Sequence, residues 1–91
     1  MLAAIRKFFD ERRKTRQIIA RAVDCFEKTK GQKAHRGQCI VIYGDGSKSV
    51  VRVCYGTGKP PRRAFYEVRA DGSIVGITFH EAKAYGEKRW R

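Results

Sequence analysis

The chain has 91 residues, of which 42% are hydrophobic and 33% charged, a globular composition that excludes a disordered protein. A chain this short supports one domain, and no apolar run approaches the roughly twenty residues of a membrane-spanning helix. The formal net charge is +12, from 21 Lys and Arg against 9 Asp and Glu, which disfavours cationic partners and favours polyanions.

The first predicted element is one long helix over residues 1–30, a stretch without Pro that ends before Gly31. An apolar face recurs at spacings of three and four residues: Ile19, Ala22, Val23 and Phe26. Residues 10–16 contain no large apolar side chain, so only the second half of the helix is expected to pack on a sheet. The first half, with Phe8 and Phe9, is expected to overhang.

An antiparallel sheet is predicted within residues 38–79. Two hairpins carry Asp-Gly-Ser, at 45–47 and 71–73, where Gly tolerates a positive φ. The tripeptide is a favoured turn, so its repetition requires no common ancestry. Residues 56–63, "GTGKPPRR", are predicted to form a loop because two adjacent prolines cannot lie in a central strand.

The predicted fold class is α+β, with a long N-terminal helix packed on a four-stranded antiparallel meander. A short helical tail over residues 80–91, ended by Gly86, is expected to follow. This layout and the hairpin "YEVRADGSIVGI" are similar to those of cystatin-like and PepSY-like small domains. In those families a helix packs across a curled antiparallel sheet. The resemblance implies this fold and assigns no functional residue.

Candidate catalytic and metal-binding groups are few. His35 and His80 are the only histidines, and the three cysteines, Cys25, Cys39 and Cys54, have no metal-ligand spacing. We interpret the cysteines as small core side chains of a protein in the reducing cytoplasm. The sequence therefore predicts no enzyme, cofactor or metal. A metal-independent ribonuclease is the enzymatic alternative, with suitable groups at His35, His80, Glu67, Arg52 and Arg69.

Basic residues with aromatic neighbours favour contact with nucleic acid or an acidic protein. Cations neutralise phosphates, and aromatic rings stack on unpaired bases. Arg52 and Arg69 are expected beside Phe65 on the sheet face away from the helix. The predicted nucleic-acid-binding residues are Arg12, Arg13, Lys14, Arg16, Arg21, Lys33, Arg36, Arg52, Lys59, Arg62, Arg63, Arg69 and Trp90.

A homodimeric protein-interaction module is the main alternative, and it is compatible with polyanion binding. The sheet face away from the helix is expected to carry too many apolar side chains to remain in water. The predicted interface residues are Phe8, Phe9, Ile40, Ile42, Val50 and Ile74.

Two further alternatives are a ligand pocket and a membrane-surface anchor. A pocket between helix and sheet is predicted to be lined by Tyr43, Tyr55, Tyr66 and Phe79. The anchor would use "MLAAIRKFF", but Asp10 and Glu11 follow immediately and oppose it.

Overall fold

The computed structural model describes the backbone of residues 2–89 and the side chains of residues 12–85. The elements in chain order are α1 (Leu2–Lys30), the 3₁₀ turn η1 (Arg36–Gln38), β1 (Ile40–Gly44), β2 (Lys48–Tyr55), β3 (Arg62–Arg69), β4 (Ile74–Ile77) and α2 (Phe79–Arg89). The strands form one antiparallel sheet in the order β1-β2-β3-β4. The predicted α+β layout is confirmed. No described helix is long and apolar enough to cross a membrane.

The predicted apolar face of α1 packs against one face of the sheet, called here the α1 face. Ala22 and Val23 are fully buried, and Phe26 is 1% exposed. The ring centroid of Phe26 lies 4.7 Å from that of Tyr55 and 6.5 Å from that of Tyr66. Aromatic rings at these separations attract one another, and this attraction adds to the stabilisation from the apolar area that they bury.

Only the second half of α1 packs on the sheet. Each of residues 12–17 is exposed, and Ile18 is the first described side chain to be half-buried against the core. Six helical residues make more than one and a half turns, so the exposure extends around the helix. The predicted overhang is confirmed for this segment, whereas Phe8 and Phe9 lie outside the described side chains.

The opposite face of the sheet, called here the α2 face, is partly covered by α2. Val50 is fully buried and Ala82 is 1% exposed, and these two side chains pack together with Phe65. The prediction that Val50 lies on an open interface is therefore wrong, because the C-terminal helix folds back over it. The expected helix end at Gly86 is also wrong, since α2 continues to Arg89.

A β-bulge in β1 changes which side chains share a face. Val41 pairs with Val51 and Tyr43 with Val50, so Ile42 is an extra residue between the two pairs. Beyond a bulge the alternation of side chains shifts by one position. Tyr43 therefore packs with Ile42 on the α2 face instead of joining Val41 on the α1 face.

The remaining predicted interface residues are also divided between the two faces. Ile74 pairs with Val68 and packs against the core beneath α1, so its predicted place on the open face is wrong. Ile40 is 42% exposed, and Ile42 is half-buried. The described residues thus form no continuous apolar interface of the predicted composition.

Both Asp-Gly-Ser turns have the same internal hydrogen bonds. Asp45 Oδ1 accepts from the N–H and hydroxyl of Ser47 at 2.9 and 2.7 Å. Asp71 Oδ1 accepts the same pair from Ser73 at 2.8 and 2.6 Å. These bonds, led by the serine hydroxyl, hold the pKa of the Asp45 carboxyl well below its usual range and lower the pKa of the Asp71 carboxyl. Turn chemistry is sufficient to explain the repeat.

We expect Phe26→Ala to lower the free energy of unfolding by about 3–5 kcal/mol, because it removes a buried ring and leaves a cavity between α1 and the sheet. Urea denaturation followed by circular dichroism measures the change. Lys28→Ala, an exposed position two residues further along α1, serves as the control and should change stability by no more than about 0.5 kcal/mol. Equal effects of the two substitutions would contradict the described packing of α1.

Candidate functional site

The exposed part of α1 carries the densest group of cations among the described side chains. Arg12, Arg13, Lys14 and Arg16 are all exposed and are called here the basic segment. No Asp or Glu occurs between residues 12 and 23. Successive helical residues are rotated by about 100°, so these cations project from several sides of the helix. Within the described part of the chain, no ion pair or hydrogen bond engages the side chains of Arg13, Lys14 or Arg16.

Arg36 belongs to a structural contact between η1 and α1. Its Nη2 lies 2.9 Å from Asp24 Oδ1 and 3.0 Å from Glu27 Oε1. Glu27 also accepts the backbone N–H of Ala34 at 2.9 Å. The charge of Arg36 is thus largely neutralised within the chain, which weakens its prediction as a phosphate contact.

Two other predicted contact residues are engaged at the end of the sheet that carries the Asp-Gly-Ser turns. Arg69 Nε donates to Glu67 Oε1 at 3.0 Å, and the carboxylate partner is 8% exposed. Arg21 Nη2 donates to the carbonyl oxygen of Gly72 at 2.8 Å. The first bond offsets a positive charge, and the second fixes α1 against the turn between β3 and β4.

The connection between β2 and β3, residues 56–61, lies at the other end of the sheet. The predicted loop over residues 56–63 is two residues too long, because Arg62 and Arg63 already pair with β2 as the start of β3. Lys59, Arg62 and Arg63 are exposed there, where the loop joins β2 to β3. The eight-residue ladder between β2 and β3 spans about 24 Å at roughly 3.4 Å per residue. The structure therefore does not bring the loop and the basic segment together. Lys33 is exposed in the α1–β1 connection, and Trp90 lies outside the described residues.

Arg52 and Arg69 lie on the α2 face, as predicted. Arg52 pairs with Phe65 on β3 and with Ile40 on β1, so its stem is half-buried between apolar side chains. Its buried Nε has no hydrogen-bond partner among the described residues. Arg52 is consequently a partly covered cation and a poorer phosphate contact than the basic segment.

A polar network between α2 and the sheet involves Lys48, a residue that sequence reasoning did not single out. Lys48 Nζ donates to the Tyr85 hydroxyl oxygen at 2.8 Å, and the Tyr85 hydroxyl is 3.5 Å from Glu67 Oε2. The Tyr85 ring also packs on Tyr43 with centroids 4.9 Å apart. The network forms only because α2 packs back against the sheet, so no local sequence pattern predicts it.

The groups considered for ribonuclease chemistry are not assembled in one place. His35 Nε2 lies 2.6 Å from the carbonyl oxygen of Gly56 at the loop end of the sheet, whereas Glu67 is engaged at the turn end. His80 is exposed, and its ring centroid lies 6.4 Å from that of Phe79. A general base and a general acid must both reach the same reacting group. His35 and Glu67 do not form such a pair.

The three cysteines are free thiols. Cys39 and Cys54 are buried and Cys25 is half-buried. Burial raises the pKa of the Cys39 thiol. Among the residues described, no three His, Cys, Asp or Glu side chains form a group that could hold a metal ion.

The predicted ligand pocket is only partly formed. Tyr55, Tyr66 and Phe79 border one groove beside β3, together with Cys25 and Thr29 of α1. The fourth predicted lining residue, Tyr43, was displaced to the other side of the sheet by the bulge in β1. The groove is open along the strand edge and differs from the enclosed pocket expected between helix and sheet.

Comparison with protein-family models, with curated protein sequences and with solved structures gives no match to this chain. The similarity to cystatin-like and PepSY-like domains is therefore one of layout.

We expect the contact between η1 and α1 to depend on pH through Glu27. The Ala34 N–H, followed by Arg36 and Lys33, holds the pKa of the Glu27 carboxyl below its usual range. Because the folded-state pKa is depressed, the stabilisation is complete above the unfolded-state pKa of about 4.3 and is lost as the pH falls through the folded-state value.

The measurement is urea denaturation of the unmodified protein and of Glu27→Gln between pH 7 and about pH 3. The unmodified protein should be the more stable at neutral pH, and the difference should shrink below about pH 4. A difference that stays constant over this range would rule out a titrating carboxylate as its cause.

Proposed function

We propose that this protein is a non-enzymatic nucleic-acid-binding module that grips phosphates with the basic segment of α1. The observation that carries the proposal is the exposure of residues 12–17 at consecutive helical positions, with four cations and no carboxylate among them. Two other predicted contact residues, Arg36 and Arg69, are paired with carboxylates, so their charges are less available to a phosphate than those of the basic segment.

The chemistry of the basic segment favours recognition of the phosphate backbone. No aromatic residue occurs between positions 10 and 25, so the segment offers no ring on which unpaired bases could stack. Contacts to phosphate position a protein on nucleic acid without reading its sequence. The proposed binding is accordingly weak in sequence preference and strongly dependent on salt.

The shape of the segment favours duplex DNA. A helix with its side chains is about 10–12 Å across, and the major groove of B-form DNA is about 12 Å wide. Cations on several sides of such a helix could reach the phosphates on both walls of the groove. The major groove of A-form RNA is too narrow and deep to admit a helix in this way.

The test is a fluorescence-anisotropy titration of a labelled 20-base-pair duplex at several salt concentrations, with two triple variants of equal charge. The first is Arg12→Gln, Arg13→Gln and Arg16→Gln. The second is Lys59→Gln, Arg62→Gln and Arg63→Gln. Each removes three charges and lowers the formal net charge from +12 to +9, so general electrostatic attraction is matched.

We expect the first variant to lose affinity and to flatten the slope of log K against log salt by about 2.7, the value for three phosphate contacts. The second variant should bind within about threefold of the unmodified protein. Equal losses of affinity in both variants would show that binding depends only on net charge. A larger loss in the second variant would show that the binding site is the loop. Duplex RNA that binds as tightly as duplex DNA would contradict the groove assignment.

A further inference from the structure

The sheet lacks part of a strand beside β3. β4 pairs with residues 65–68 only, while β2 pairs with β3 over its whole length. Residues 62–64 therefore have a partner strand on one side and none on the other within the described chain. The chain leaves the sheet because Thr78 caps the N-terminus of α2. Its Oγ1 accepts the N–H of Glu81 at 3.2 Å, and its N–H donates to Glu81 Oε1 at 3.3 Å.

The direction of the main-chain groups of Arg63 follows from the alternation of the ladder. Arg69 donates its N–H to Ser73 O at 2.9 Å, which shows that its backbone faces β4. Ala70 donates to Ser47 O at 2.8 Å, toward β2. Alternate residues of a strand direct their N–H and C=O to the same neighbour. Arg63 is an even number of residues from Arg69 and so presents both groups outward, past the end of β4.

The corresponding end of β2 is covered by the chain itself. Ala34 forms a bridge with Tyr55, and the N–H of His35 donates to the carbonyl oxygen of Cys54 at 2.8 Å. The connection between α1 and β1 thus supplies the hydrogen bonds that β1 is too short to make. No described segment does the same for β3.

The gap beside β3 is a groove with two walls. Cys25, Thr29 and Lys30 of α1 form one wall, and Phe79 at the start of α2 forms the other. Phe79 is 61% exposed although its ring lies 5.9 Å from that of Phe65. The lining combines exposed apolar surface with two cations, Lys30 and Arg63, and contains no carboxylate.

We propose that this gap binds an extended acidic segment of a partner protein, which adds a strand to β3. Strand addition uses main-chain hydrogen bonds for affinity and the flanking side-chain contacts for selectivity. Acidic side chains on one face of the segment would meet Arg63, which shares the α2 face with Phe65 because alternate residues of a strand lie on one side. Apolar side chains on its other face would lie toward Cys25 and Thr29 of α1. The site lies at the end of the sheet opposite the basic segment and does not depend on nucleic-acid binding.

The charge of the edge argues against a second copy as the occupant. Pairing two β3 edges about a two-fold axis would bring Arg62 and Arg63 of one chain against the same residues of the other. Like charges opposite one another destabilise a strand pair. Nucleic acid is also a poor occupant, because it lacks the alternating amide groups that match a strand edge.

The probe for the test is a fluorescein-labelled, end-blocked peptide of eight alternating Glu and Val residues. A peptide with Lys in place of Glu is the control. We expect the acidic peptide to bind and the Lys peptide not to bind. Arg63→Glu should weaken binding of the acidic peptide by about tenfold or more, because it reverses the charge at the centre of the gap. The triple variant at positions 12, 13 and 16 should bind the peptide normally, which separates this site from the proposed nucleic-acid site.

Amide hydrogen exchange tests strand addition on the unmodified protein, so the result does not depend on a variant that folds. The Arg63 amide should exchange about tenfold more slowly with the acidic peptide bound. The Ala64 amide, which faces β2, should not change. Binding without protection of Arg63, equal binding of the Lys peptide, no binding at about 1 mM peptide, or self-association that Arg63→Glu abolishes would each overturn the proposal.

Discussion

The packing of Phe26 between Tyr55 and Tyr66 determines where the rest of the molecule can lie. These rings hold the C-terminal third of α1 over the loop end of the sheet. A 29-residue helix is about 44 Å long, whereas an eight-residue strand is about 27 Å long. The helix anchored at one end must therefore extend past the sheet, and the cations at positions 12–16 occur in the part that the sheet does not cover.

The two proposed sites follow from elements of unequal length. The basic segment is exposed because α1 is longer than the sheet, and the β3 gap exists because β4 is shorter than β3. They lie at opposite ends of the β2–β3 ladder, and one uses side-chain charge while the other uses main-chain groups. Because the two proposed sites are separate, the two proposals are compatible with each other.

Several features were accessible to local reasoning because they depend on residues close in the chain. The apolar spacing around Val23 and Phe26 predicted the packed face of α1, and the Asp-Gly-Ser turns predicted both hairpins. The spacing of Thr78 and Glu81 is that of a capping box and also marks the start of α2. The capping box does not show that α2 packs on the sheet, so the predicted tail leaves the α2 face open.

Other features depend on contacts between distant residues. Nothing in the local sequence marks the bulge at Ile42, because a bulge is decided by how two strands align. The neutralisation of Arg36 by Asp24 and Glu27 likewise requires that η1 fold back on α1. The amino-acid composition does not distinguish one cation from another. Only the ion pairs of the folded chain show which cations remain available to bind a phosphate.

The sequence by itself determined the α+β layout, the overhang of α1 and the excess of positive charge, since periodicity, turn chemistry and composition are local or additive properties. The tertiary structure decided that α2 covers Val50, that the loop and the basic segment lie at opposite ends of the sheet, and that β3 keeps an open edge at Arg63. These outcomes depend on strand register and on the relative lengths of packed elements, which arise only when distant parts of the chain meet.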